Sequence, residues 1–86
     1  MPIISVFFGI TVRLFYCDHN PPHVHVEYQG NKVTMDFRGN ILKGDLRSRT
    51  ATKLIRDWID LRQPELLENW QLALQGKEVK GIDPLN

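Results

Sequence analysis

Near residue 48 the spacing of apolar residues changes from every second position to every third or fourth. Strands and helices bury opposite periodicities, so a chain with this switch must segregate its elements. From 10 to 16, Ile10, Val12, Leu14 and Tyr16 share one face, with Thr11, Arg13 and Phe15 opposite. From 23 to 28, Val24, Val26 and Tyr28 alternate with His23, His25 and Glu27. Val33, Met35 and Phe37 repeat the pattern against Thr34, Asp36 and Arg38. Residues 3–8 are β-prone, and Gly9 marks a bend after them. Residues 41–43 add a short strand beyond the Gly39-Asn40 turn. Past Ser48 or Thr50, either able to cap a helix, Ala51, Leu54, Ile55, Trp58 and Ile59 fall at helical spacing. Pro64 ends that run and suits the first turn of a second helix, whose stripe is Leu66, Leu67, Trp70, Ala73 and Leu74. The predicted fold is α+β: an antiparallel meander over about residues 3–44, covered on one face by helices at about 48–62 and 64–75. Val79, Ile82 and Leu85 let the remaining tail dock on the domain.

At 86 residues, with 42% hydrophobic and 24% charged, the chain supports one domain with a small core. A formal charge of +1 gives no large single-sign field. The one cysteine, Cys17, excludes an intrachain disulfide and any site built from several thiolates. A small packed residue is the simplest reading of it. The apolar run near the start is too short to span a bilayer and has no basic leader. The expected location is the cytoplasm.

All three histidines fall within seven residues, in Asp18-His19-Asn20-Pro21-Pro22-His23-Val24-His25. The paired prolines make residues 18–22 a loop. Alternation puts His23 and His25 on the face opposite Val24 and Val26, with their imidazoles partly accessible. Centring a two-residue turn on Gly30-Asn31 sets Asp36 across from His25 and Arg38 across from His23. A carboxylate there orients an imidazole and fixes its tautomer. Three chemistries stay open. His23, His25 and Asp18 have the donor types for a divalent transition metal. His23 and His25, with His19 near, Asp18 or Asp36 orienting, and Arg13 or Arg38 holding phosphate, have the types for acid–base cleavage of a phosphodiester. The cluster also reads as a polar surface for a partner, or as loop-shaping residues alone.

A second feature is cationic. Lys43, Arg47, Arg49, Lys53 and Arg56 lie close together with Asp45 opposing them. Arg47, Arg49 and Lys53 are the candidates for phosphate contact with nucleic acid. An ordinary solvated helix face is the plainer reading.

The segment Asp18 to Tyr28, of form D-H-x-P-P-H-x-H-x-x-Y, resembles a family of small bacterial proteins known as domain-of-unknown-function family 4160. Ile3-Ile4-Ser5, Gly44-Asp45-Leu46, Trp58, Glu65-Leu66-Leu67-Glu68-Asn69-Trp70 and Ile82-Asp83-Pro84-Leu85 carry the likeness over the rest of the chain. The resemblance implies no particular reaction. It implies a two-gene arrangement with a protein of domain-of-unknown-function family 2442, hence a toxin–antitoxin-like or regulatory pair. The sequence therefore points first to a small accessory module that binds a protein partner, with nucleic acid as a further ligand. The alternative is a small histidine-dependent, RNase-like or metal-assisted hydrolase.

Overall fold

The computed structural model describes residues 2–16 and 19–86. Five strands come first: β1 (Ile3–Phe7), β2 (Ile10–Arg13), β3 (His23–Tyr28), β4 (Asn31–Asp36) and β5 (Ile41–Gly44). Two helices follow, α1 (Arg49–Leu61) and α2 (Gln63–Leu74). The strands lie in the sheet in chain order, every neighbouring pair antiparallel. This is the expected meander and helical pair. No helix among the described residues is long and apolar enough to cross a membrane.

The periodicity becomes packing in a simple way. Val12, Val26 and Val33 align across β2, β3 and β4, as do Val24 and Met35 across β3 and β4. All five are buried beneath the helices, in one cluster with Ala51, Ile55, Trp58, Ile59, Leu66 and Trp70. The Ser48 hydroxyl starts α1 by accepting the Ala51 N–H at 3.0 Å. Only Arg62 separates the two helices, and Pro64 stands in the first turn of α2, where a missing N–H costs nothing.

Both tryptophans are core residues. The Trp70 ring lies 6.1 Å from Phe37, edge to face, and Trp58 lies 5.5 Å from Phe7. The segment after α2 docks as its apolar residues suggest. Ile82 is buried, and its N–H donates to Ile4 O at 2.7 Å. The Asn69 side chain bonds both backbone groups of Lys80, and Trp58 Nε1 donates to Asp83 O at 2.8 Å.

Two details depart from the sequence expectation. β2 ends at Arg13, not near Tyr16; Phe15 leaves the ladder and lays its ring on His25. The β3–β4 turn centres on Gln29-Gly30, with φ of 49° and 81°, so Tyr28 pairs with Asn31 and Glu27 with Lys32. Two successive left-handed residues match the twist of a two-residue hairpin. Phe8-Gly9, at 50° and 77°, repeats the device between β1 and β2. The whole β3–β4 register is consequently displaced from the Gly30-Asn31 expectation. Asp36 faces His23, and Thr34 faces His25.

Candidate functional site

The residues on the face of the sheet turned away from the helices are exposed or half-buried in two rows that the register sets out. Ile3, Arg13, His25, Thr34 and Lys43 align across the five strands. Val6, Thr11, Glu27 and Lys32 form the next row. Between these rows lies a groove of about 570 Å³, within the ~300–1,000 Å³ usual for small-ligand sites. Arg13 Nη1 donates to Glu27 Oε1 at 3.0 Å across the groove floor. The Phe15 ring stacks on His25 with centroids 3.9 Å apart and planes 12° from parallel.

The histidines do converge. His25 and His23 have ring centroids 5.0 Å apart, and His23 and His19 5.8 Å. Their exposures differ from the expectation, however. His25 is half-buried at the groove, but His23 is only 5% exposed. The reason is positional. β2 pairs with β3 only as far as His25, so His23 lies beyond the end of that ladder. Its ring packs 5.4 Å from Trp70 of α2, on the flank of the core. His23 Nδ1 lies 2.6 Å from Pro21 O. A carbonyl only accepts, so Nδ1 carries the hydrogen in this contact. The bond between Asn20 and Pro21 is cis.

Asp18, the carboxylate expected to join the histidines, lies outside the described residues, as does Cys17. Among the described residues no group of three or more His, Cys, Asp or Glu side chains is placed to hold a metal ion.

Asp36 organises the turn after β4. Its Oδ1 accepts the backbone N–H groups of Arg38 and Asn40, both at 2.9 Å, and Oδ2 accepts the Asn40 amide at 3.1 Å. Partial burial disfavours the charge, but the donated hydrogen bonds of Asn40 and Arg38, helped by the Arg38 cation, outweigh it and hold the carboxyl below its ordinary value. A carboxylate with a lowered native pKa stabilises the fold above its unfolded pKa of about 3.9, and that contribution disappears as pH falls through the native value. Asp36→Ala is expected to cost roughly 1 kcal/mol at pH 7. The gap between variant and parent in urea midpoint should narrow below pH 4. A gap that widens on acidification contradicts the turn-anchoring role. Arg38 lies in the same turn, exposed, and does not line the groove.

The cationic stretch gathers at the start of α1. Arg47, Arg49, Lys53 and Arg56 border a second, more open depression of about 530 Å³, together with Asp45 and Asp57. Asp57 pairs with Lys53 at 3.0 Å, and Arg56 donates to Gly39 O at 3.0 Å. The helix thus brings in a second neutralising carboxylate that linear spacing did not reveal. Glu27, Lys32 and Phe15 are groove residues that the sequence pattern does not single out as a site, and Lys43, read there as part of the cationic stretch, lines this groove instead. Two of them follow from the strand register: Lys32 stands opposite Glu27, and Lys43 stands opposite Thr34, the partner of His25.

A family model described as Domain of unknown function (DUF4160) matches residues 9–71. No curated protein and no solved structure matches the chain.

Proposed function

We propose, since this chain belongs to the DUF4160 family, that it is a cytoplasmic accessory module that acts by seating a protein partner on the open face of its sheet. The observation that carries this reading is an apolar run at the margin of that face. Ile3, Val6 and Phe8 are 52%, 56% and 60% exposed along a single strand and its turn. Scattered exposed apolar residues are ordinary, but several together on an uncovered sheet face mark an interaction surface. The two-gene arrangement implied by the family resemblance supplies the candidate partner, a family 2442-type protein, in a toxin–antitoxin-like pair.

Co-expression with the product of the neighbouring gene tests this. The two chains are expected to co-purify through size-exclusion chromatography. The double variant Val6→Glu, Phe8→Ser should lose the complex yet keep the parent's melting transition, because both side chains are exposed. Recovery of each chain alone, or a complex indifferent to the double variant, overturns the reading.

A further inference from the structure

We propose that the groove on the open sheet face is a site for cleaving single-stranded RNA, with Glu27 as proton acceptor and His25 as proton donor. This goes beyond partner binding and uses different residues. His25 and Glu27 stand two apart on β3 and point to the same face. Their backbones are therefore about 6.6–7 Å apart, a span that admits one phosphodiester between the two side chains. His23, the second histidine in the cluster, is buried against Trp70. Among the described residues that line the groove, Glu27 is the acid–base group that accompanies His25.

The surroundings suit a polyanion. Arg13 stands directly opposite His25 and grips Glu27 Oε1, which fixes the carboxylate beside a cation. Lys32 faces Glu27 across the ladder, and Lys43 closes the row that begins at Ile3. Neither lysine forms an ion pair among the described residues, so both are available to phosphate oxygens. Phe15 lies flat on His25 and restricts rotation of the imidazole. The other basic depression has cations but no general base beyond two aspartates, of which Asp57 is already paired with Lys53.

The reaction these groups support is internal transesterification. The ribose 2′-hydroxyl gives its proton to the Glu27 carboxylate while its oxygen forms a bond to the adjacent phosphorus. The bond from phosphorus to the 5′-oxygen breaks, and that oxygen takes a proton from the His25 imidazolium. The products are a 2′,3′-cyclic phosphate and a free 5′-hydroxyl. Water returns the proton from Glu27 to His25. Nothing is oxidised or reduced. Arg13 and Lys43 face the non-bridging oxygens, where negative charge accumulates. DNA lacks the attacking hydroxyl and is not a substrate.

The test uses a 5′-fluorescent, unstructured 20-nucleotide RNA and a DNA of the same sequence, with all proteins purified identically. The parent is expected to cut the RNA, leaving 2′,3′-cyclic phosphate ends, and to leave the DNA intact. Glu27→Gln and His25→Gln should each slow cleavage by about 100-fold or more. Glu27→Gln retains an oxygen for Arg13, so its melting transition serves as the folding control. Lys43→Ala should lower kcat more than it raises KM, because Lys43 faces oxygens whose charge grows in the transition state. Parent activity no greater than that of Glu27→Gln, or equal cutting of the DNA, overturns the proposal. Cleavage is assayed on the isolated chain with no partner present, so its failure is read separately from failure of the partner-binding reading.

Discussion

Trp58→Ala is expected to destabilise the domain by about 3–5 kcal/mol. Trp58 is fully buried, and its ring spans the contact between α1 and Phe7 of β1. Truncation empties the largest of the fully buried side-chain volumes in the core. It also leaves Asp83 O without the indole donor that holds it at 2.8 Å. Domains of this size typically have only about 5–15 kcal/mol to lose, so the variant should be partly unfolded near 37 °C. Trp58→Phe separates the two contributions. It keeps most of the packing and removes only the hydrogen bond, at roughly 1 kcal/mol. Urea unfolding followed through Trp70 fluorescence measures both. A Trp58→Ala protein with the parent's midpoint would show that α1 does not depend on this contact.

Gly44→Ala should cost about 3 kcal/mol or more, although it adds a single methyl group. Gly44 holds φ at +84°, a region that costs an L-residue roughly 1–2 kcal/mol. A Cβ there would also collide with the backbone carbonyl of Lys32. That carbonyl is not free to retreat, because it accepts the N–H of Asp45 at 3.1 Å. Gly30 provides the internal comparison. Its φ is +81°, but a methyl group added there would meet nothing within 4 Å. Gly30→Ala should therefore cost only the conformational part, about 1–2 kcal/mol. Matched thermal melts decide the matter. If both alanine variants melt together, the collision with Lys32 is relieved by a shift of β5.

The architecture is legible in the sequence because periodicity reports burial directly. Alternation alone assigns Val24, Val26, Val33 and Met35 to the covered face, and they are buried. Trp58 and Trp70 follow from helical spacing in the same way. Register is less legible, because it rests on one turn whose chemistry the sequence conceals. Gly30-Asn31 reads as the turn centre, yet Gln29 takes the left-handed conformation that glycine or asparagine usually supplies. Moving the centre back by one residue puts Asp36 opposite His23 and Thr34 opposite His25. The burial of His23 is hidden for a different reason. Alternation gives the side on which a residue leaves the strand, but not where its ring travels once the neighbouring ladder has ended. Trp70, distant in sequence, supplies the surface on which it settles. The clustering of the histidines and the place of Glu27 on the face of His25 are visible in the sequence; the place of Lys32 and Lys43 beside them needs the true pairing.

The bond between Ile4 and Ile82 also matters while the protein is being made. Ribosomes add about 5–20 residues per second, so β1 is synthesised roughly 4–15 s before the segment that packs against it. Ile4 and Phe7, buried in the finished domain, spend that interval without Ile82 over them, and roughly its first 3–10 s without Trp58. The nascent chain thus displays an apolar strand for seconds and hides it last. A partner or chaperone that engages β1 during translation would meet a broader apolar surface than the mature protein offers.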